Sequence, residues 1–106
     1  MATARLADVT LNYQIDGAET APPLLLSNSL GTSLEMWEPQ MKALAGRFRV
    51  IRYDSRGHGR STRTEQPYGY DLMASDYLAL LDYLKIDKTA LVGWSEQSRE
   101  ITVAIV

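Results

Sequence analysis

Polar and apolar residues alternate along the first part of the chain, up to the glycine at position 17. The apolar members of this pattern are Leu6, Val9, Leu11, Tyr13 and Ile15. A period of two is typical of strands that bury one face and expose the other. The pattern therefore predicts two short strands that end at a turn formed by Asp16 and Gly17.

Three short apolar segments follow, at residues 24–26, 48–53 and 90–94. Short apolar runs bounded by turn-forming residues are typical of buried parallel strands. The run at 24–26 follows two prolines, and the run at 90–94 ends at a serine. Each segment is therefore predicted to be a strand inside a sheet.

Two segments between these runs have apolar residues at helical spacing, at about 34–46 and at 70–84. In the second segment one stripe is formed by Met73, Tyr77, Leu80, Leu81 and Leu84. Pro39 fits only the first turn of the earlier helix, and Gly46 marks its end. The resulting order predicts an α/β fold: a mostly parallel sheet with an antiparallel N-terminal start and two crossover helices.

Composition narrows the possible chemistry. The 106 residues make one small domain at most, with no Cys, one His and a net charge of −2. These counts exclude disulfides, a thiol nucleophile and a multi-histidine metal site, so no metal or cofactor is expected. We expect no nucleic-acid partner, because the net charge is negative. We expect no membrane partner, because the longest apolar run, 22–26, is far too short to span a bilayer. The first ten residues lack an apolar signal core, which makes the cytoplasm the expected location.

The sharpest local motif is Gly93-Trp94-Ser95, at the end of the last predicted strand. In a nucleophile elbow a serine lies on a tight strand-to-helix turn, with small residues two positions before and two after it. Gly93 satisfies the first requirement, whereas Gln97 does not satisfy the second. Taken alone, a Gly-x-Ser sequence is common, and a plain turn at the strand end would explain it.

Two further segments favour the nucleophile elbow over a plain turn. Residues 27–33 read Ser-Asn-Ser-Leu-Gly-Thr-Ser after an apolar strand, and 54–61 read Asp-Ser-Arg-Gly-His-Gly-Arg-Ser after the next one. Together with Gly93-Trp94-Ser95, these segments strongly resemble the α/β-hydrolase family. Within that family, the Asn28-Ser29 pair and the serine motif resemble the 3-oxoadipate enol-lactonases. The resemblance extends almost continuously from residue 6 to residue 95.

The resemblance implies a role for five residues. Ser95 would be the nucleophile that attacks the lactone carbonyl and forms an acyl-enzyme, which water hydrolyses. The backbone N–H groups of Leu30 and Glu96 would form the oxyanion hole. Ser29 would contact the substrate, and Trp94 would either line the substrate pocket or belong to the core. The implied substrate is a small anionic enol-lactone from aromatic catabolism. The acid and base of the family lie well downstream of the nucleophile, beyond the last residue of this chain.

The resemblance stops abruptly after Ser95. We therefore divide the chain into residues 1–95, the N-terminal part of an α/β-hydrolase domain, and residues 96–106, a divergent tail. An altered reading frame would produce such a tail. Residues 101–106 are rich in β-branched side chains, which form helices poorly and match the pattern of an aggregation-prone strand. A Glu96 carboxylate beside the oxyanion would also oppose its negative charge.

Several other residues have a chemical and a structural interpretation. His58 belongs to the loop after the second parallel strand, and we expect it to shape that loop rather than act as the base. We expect Asp54 to anchor the same loop, and Trp37 to belong to the core. The six arginines between positions 47 and 63 could suggest a nucleic-acid surface, but ion pairs along a strand and loop fit the acidic net charge better.

The sequence leaves four hypotheses about function. The first is a serine hydrolase of an enol-lactone that is inactive as this chain alone, because no base activates the serine. A related alternative is an α/β-hydrolase fragment for another ester, and an enzyme with His58 as base is a weaker one. The rival from another class is a non-catalytic module that associates with itself through an exposed sheet edge next to the strand that ends at Ser95.

Overall fold

The computed structural model describes residues 2–28, 32–62, 70–95 and 100–106. Within these ranges the chain forms a single six-stranded sheet and two α-helices. The strands are β1 (Ala2–Arg5), β2 (Thr10–Asp16), β3 (Pro23–Ser27), β4 (Arg49–Tyr53), β5 (Ala90–Ser95) and β6 (Glu100–Ile105). The helices are α1 (Glu38–Ala45), preceded by a 3-10 turn at Leu34–Trp37, and α2 (Tyr70–Tyr83).

The strands lie in the order β1-β2-β4-β3-β5-β6. The central pairs β4–β3 and β3–β5 are parallel, and the pairs β1–β2, β2–β4 and β5–β6 are antiparallel. Four of the six strands therefore point in one direction, and β2 and β6 point in the other. The predicted α/β fold, with its antiparallel start and two crossover helices, is confirmed.

Each helix covers one face of the sheet. On the α1 face, Trp37 and Met41 pack against Leu24, Leu26 and Val50. On the α2 face the cluster is larger, and its fully buried side chains include Leu11, Leu25, Ile51 and Leu80. Because neighbouring strand residues point to opposite faces, the Leu24-Leu25-Leu26 run supplies both clusters, as expected for a strand buried on both sides.

Local signals in the sequence explain where the first helical segment begins and ends. The Ser33 side chain caps the 3-10 turn by accepting a hydrogen bond from the backbone N–H of Glu35. Pro39 lies in the first turn of α1, where the N–H that proline lacks would have no helical partner. Gly46 follows the last helical residue. The predicted boundaries of this helix are thus confirmed, as is the core position of Trp37.

Two parts of the sheet differ from the expectations. The first strand, Ala2–Arg5, lies before Leu6, whereas the alternating pattern that predicted it begins at Leu6. The outer edge of β5, which we expected to lack a neighbour, is covered by β6 along its whole length, from Ala90 opposite Ile105 to Ser95 opposite Glu100. The physical reason is that the β-branched tail forms a strand and hydrogen-bonds to the nearest free edge. The edge strand on this side of the sheet is therefore β6, and β1 is the edge strand on the other side.

Two of the six arginines between positions 47 and 63 form ion pairs. Arg52 and Arg56 are buried, and each contacts two carboxylates. The partners are Asp16 and Glu38 for Arg52, and Asp8 and Asp76 for Arg56. These pairs support the ion-pair interpretation of the arginines rather than a nucleic-acid surface. Among the described helices, neither has the length and apolar character needed to cross a bilayer.

Candidate active site

The carboxyl ends of the three parallel strands β3, β4 and β5 lie side by side. Ser27, the last residue of β3, is opposite Tyr53 of β4 on one side and opposite Gly93 of β5 on the other. Ser95 lies two residues further along β5, at the same end of the sheet. Open α/β sheets bind their ligands at this end, so the topology supports a site here.

Two aromatic side chains hold the end of β3. The indole N–H of Trp37 donates to the carbonyl oxygen of Ser27 (3.3 Å), and the Tyr53 hydroxyl donates to the Ser27 hydroxyl (3.2 Å). Burial raises the pKa of Tyr53 from 10.0 to about 12, because the charged phenolate would lose its hydration. The phenol is therefore a stable hydrogen-bond donor at neutral pH.

Asn28 links both ends of the short segment after β3. Its side-chain oxygen accepts from the backbone N–H of Ser55 (2.8 Å) and from the Ser55 hydroxyl (2.9 Å). Its side-chain nitrogen donates to the carbonyl oxygen of Thr32 (3.0 Å). An amide side chain is suited to this task because it both donates and accepts. Asn28 thus connects Thr32 and Ser55, and the first oxyanion donor was predicted between Asn28 and Thr32 in sequence.

The predicted site residues fall into two groups. Ser95 and Trp94 lie in β5, opposite Glu100 and Ile101 of β6, and their side chains lie outside the described part of the structure. Ser29, Leu30 and Glu96 lie outside the described residues altogether. The assigned roles of all five residues stay predictions.

The segment after Ser95 differs from the strand-turn-helix context of a nucleophile elbow. Residues 100–105 form a strand that runs antiparallel to β5, so they supply no helix N-terminus to stabilise an oxyanion. An elbow needs a small residue at position 93 because other chain segments crowd it. A Cβ atom built on Gly93 would meet no atom within 4 Å in the described structure. The described residues therefore do not require a glycine at this position.

Two residues that could be mistaken for catalytic groups have structural contacts. Asp54 is fully buried, and its carboxylate accepts from the N–H groups of Leu34 (2.7 Å) and Arg60 (3.0 Å) and from Asn12 Nδ2 (2.9 Å). His58 Nδ1 lies 3.1 Å from the Arg56 carbonyl oxygen, within its own loop. These contacts confirm that Asp54 anchors the loop, and they agree with a loop role for His58.

Sequence reasoning missed the contributions of Asn28, Tyr53 and Ser55. Asn28 was noted only as part of the resemblance, and Tyr53 only as a strand residue. A useful signal was available: a polar amide directly after a buried strand, followed by small residues, is typical of a side chain that shapes a loop. Within the described residues, no cluster of His, Cys, Asp or Glu side chains could hold a metal ion.

Comparison with known proteins defines the class. Residues 22–95 match the family model for the alpha/beta hydrolase fold. The chain therefore belongs to the α/β-hydrolase fold family, and the matched region ends at Ser95.

Comparison with individual proteins shows which members of this family the chain is similar to. The chain is 43% identical over 93 residues to 3-oxoadipate enol-lactonase 2 of Acinetobacter baylyi, which covers 88% of this chain and 35% of that protein. It is 44% identical over 85 residues to a Caulobacter segnis protein assigned as the carbamate hydrolase RutD, covering 76% of this chain and 32% of the relative. The crystal structure of the enol-lactonase from Burkholderia xenovorans LB400 superposes with a TM-score of 0.86 and 46% identity, over 89% of this chain and 37% of that one. The chain thus spans about a third of the length of these relatives.

Proposed function

We propose that this chain carries the nucleophile-bearing part of a hydrolase that opens a small anionic enol-lactone of the 3-oxoadipate type. The observation that supports this most directly is the family match, which runs through the parallel strands and ends at Ser95. The likeness to two enol-lactonases, at 43% and 46% identity, favours a lactone over other esters. The likeness to the RutD relative supports an alternative substrate class, a carbamate or another ester.

In this proposal Ser95 attacks the lactone carbonyl carbon. The ring C–O bond breaks, the serine carries the acyl group, and a water molecule then releases the acid. The backbone N–H groups of Leu30 and Glu96 stabilise the oxyanion, and Ser29 and Trp94 contact the substrate. Asn28, two residues before Leu30, is itself held by its bonds to Ser55 and Thr32.

We further propose that these 106 residues have little or no activity by themselves. A serine hydroxyl needs a base that removes its proton, and the one histidine of the chain is His58. The contact of His58 with the Arg56 carbonyl places it in a structural loop. The return of the chain as β6 also leaves Ser95 without the following helix that an elbow uses.

The test is complementation. The purified chain is assayed for hydrolysis of an enol-lactone and a simple ester, alone and mixed with the remaining two thirds of the Acinetobacter enol-lactonase. We expect no turnover alone and measurable turnover in the mixture. Ser95→Ala should abolish that turnover, whereas Ser75→Ala, at an exposed position on α2, should preserve it.

Two results would contradict parts of the proposal. Turnover by the chain alone that disappears in Ser95→Ala would show that the chain needs no further residues. Turnover in the mixture that survives Ser95→Ala would remove Ser95 as the nucleophile.

A further inference from the structure

Strand β6 occupies one edge of β5 along the whole length of that strand. The two strands pair over all 6 residues of β5, and Thr89 and Val106 extend the ladder by two hydrogen bonds of 3.1 and 3.0 Å. Along its other edge β5 pairs with β3. Both edges of β5 are therefore in use, and any further strand has to replace β6 in order to pair with β5.

The side chains of β5 are less well covered than those of its neighbour β3. In β3, Leu24, Leu25 and Leu26 are 6%, 0% and 1% exposed. In β5, Leu91 and Val92 are only partly buried, although Leu91 faces the α2 cluster and Val92 faces the α1 cluster. Parallel strands at the centre of a sheet are normally covered on both faces. Within the described residues, β5 thus lacks full cover on either face.

Strand β6 contributes little burial of its own. Val103 and Ile105 are each 66% exposed. Among the described side chains of the strand none is fully buried, and Val106, just after it, packs against the larger core cluster. The attachment of β6 to the sheet therefore depends mainly on its backbone ladder, which another strand can provide equally well.

The family match indicates what would replace β6. The match ends at Ser95, so β6 lies outside it, and the chain spans about a third of the length of its relatives. In a sheet with parallel central strands, consecutive strands are usually neighbours joined by a crossover. Because β3 occupies one edge of β5, the nearest edge for the remaining part of such a relative is the one that β6 covers.

We propose that β6 is an autoinhibitory strand, which must leave the edge of β5 before the C-terminal part of a hydrolase of this family can assemble on it. The inference rests on the proposed function, since it concerns the fragment that completes the site. The apparent affinity for that fragment falls with the fraction of chains in which β6 is detached. Changes that fix β6 should therefore weaken binding, and changes that loosen it should strengthen binding.

The first experiment fixes β6 with a disulfide. Val92 and Val103 form a non-hydrogen-bonded pair, whose Cα atoms in an antiparallel ladder lie about 4.5 Å apart, within the range of a disulfide. The chain has no cysteine of its own, so the double variant Val92→Cys/Val103→Cys forms one defined bridge. Binding to the remaining two thirds of the Acinetobacter enol-lactonase is measured by the anisotropy of a fluorescent label on that fragment. The oxidised variant should bind about tenfold more weakly, or worse, than the same variant after reduction.

The second experiment loosens β6 with proline. Pairs alternate along the ladder from Thr89 and Val106, so the N–H of Ala104 points to β5 and that of Val103 points away. Proline is tolerated in an edge strand where the missing N–H would face outward. Ala104→Pro loses a ladder bond and should bind the fragment about tenfold more tightly than the wild type. Val103→Pro is the matched control and should bind as the wild type does, and circular dichroism checks both folds.

A third measurement uses the chain alone. Native-state hydrogen exchange compares the amide of Ala104 in β6 with the amide of Leu25 in the central strand β3. If β6 detaches without unfolding of the sheet, Ala104 should exchange at least about tenfold faster than Leu25. Equal protection at the two positions would show that β6 leaves only when the whole sheet unfolds, and would overturn the proposal.

The outcomes separate this proposal from the proposed function. Binding that the disulfide weakens and Ala104→Pro strengthens supports the autoinhibitory strand, and absence of lactone turnover in that mixture would count against the hydrolase function alone. Equal turnover by the oxidised and the reduced variant would overturn the autoinhibitory strand and leave the hydrolase function in place. Equal effects of Ala104→Pro and Val103→Pro, or failure of every variant to bind the fragment, would also overturn it.

Discussion

Asp54 connects three separate parts of the chain through one buried carboxylate. Its oxygens accept hydrogen bonds from Asn12 on β2, from Leu34 at the start of the 3-10 turn and from Arg60 in the following loop. Gly59 lies so close to the carboxylate, with a φ of 50°, that a larger residue would clash there. A carboxylate engaged in this way stabilises the fold and has no free oxygen for acid-base chemistry.

We expect Asp54→Asn to lower the free energy of unfolding by about 2–3 kcal/mol. The substitution keeps the shape but turns an NH2 group toward N–H donors, which leaves buried donors without an acceptor. Urea unfolding followed by tryptophan fluorescence measures the change. Asp87→Asn, at an exposed position before β5, serves as the control and should have almost no effect. Equal midpoints for the two variants would contradict the anchoring role.

The raised pKa of Tyr53 predicts a specific loss of stability in alkali. The unfolded chain ionises this phenol near pH 10, whereas the folded chain does so near pH 12. The stabilisation is therefore complete below pH 10 and is lost as the pH rises toward 12, to an extent of about 2–3 kcal/mol.

Urea unfolding between pH 9 and pH 12 tests this prediction. The Tyr53→Phe variant should lose less stability than the wild type over that interval, because it has no phenol at this buried position. At neutral pH it should be less stable by only about 1 kcal/mol, for the lost bond to Ser27. Tyr83→Phe, on the exposed side of α2, should follow the wild type. Parallel pH profiles for the wild type and Tyr53→Phe would contradict the assignment.

Helix α2 is joined to the loop after β4 by a buried ion pair. Arg56 donates to both oxygens of Asp76, from Nε at 2.9 Å and from Nη2 at 2.8 Å, and both side chains are 5% exposed. Hydrogen bonding to Asp76 raises the pKa of Arg56. Arg56 also contacts Asp8 at 3.2 Å, but that carboxylate is 69% exposed. Arg56 therefore forms one buried ion pair, with Asp76, and one ion pair with an exposed partner, Asp8.

This difference predicts unequal effects of two alanine substitutions. Asp76→Ala leaves a buried cation with poor compensation and should lower the free energy of unfolding by about 3–5 kcal/mol. Asp8→Ala removes a contact at the surface and should cost less than about 1 kcal/mol. Urea unfolding measures both, and Asp76→Asn, which keeps the shape, replaces the alanine variant if that one does not fold. Similar losses at both positions would show that burial does not govern this pair.

The helices and central strands could be predicted from the sequence because their signals are local. The stripe along α2, the apolar run of β3, and Pro39 with Gly46 around α1 each mark an element by spacing or punctuation alone. The two outer strands have no local signal of this kind. Ala2–Arg5 has one buried apolar residue, Ala4, and its strand conformation comes from pairing with β2. Pairing of the tail likewise depends on β5, a partner that no local pattern reveals.

In the candidate site too, features that depend on contiguous sequence could be predicted, whereas contacts between distant residues could not. The position of Ser95 at a strand end follows from a short motif and a resemblance, both of which are contiguous in sequence. The support of the neighbouring loop by Asn28 is different in kind, since Ser55 lies 27 residues away along the chain. Such a contact depends on the order of the strands in the sheet, which brings the ends of β3 and β4 together.

For the whole molecule, β6 extends the sheet by one strand beyond β5. Val106 packs against the larger core cluster, and β6 supplies the neighbour that β5 would otherwise lack. We expect removal of residues 100–106 to lower the unfolding midpoint and the soluble fraction after expression, because it exposes the edge of a central apolar strand. The Val103→Lys variant, which keeps the whole strand, should remain soluble. An unchanged midpoint after truncation would mean that β6 adds nothing to the stability of the sheet.

The space beside Gly93 in the described structure makes this position suitable for a fluorescent label. Gly93→Cys would introduce the only thiol of the chain, two residues from Ser95, at a position where no described atom lies within 4 Å of a new Cβ. An environment-sensitive fluorophore attached there would meet little steric resistance from the described residues. When a complementing fragment packs over this end of β5, the emission should change colour and intensity. The labelled Gly93→Cys variant would thus report binding of the complementing fragment by its fluorescence, even under conditions in which no substrate is turned over.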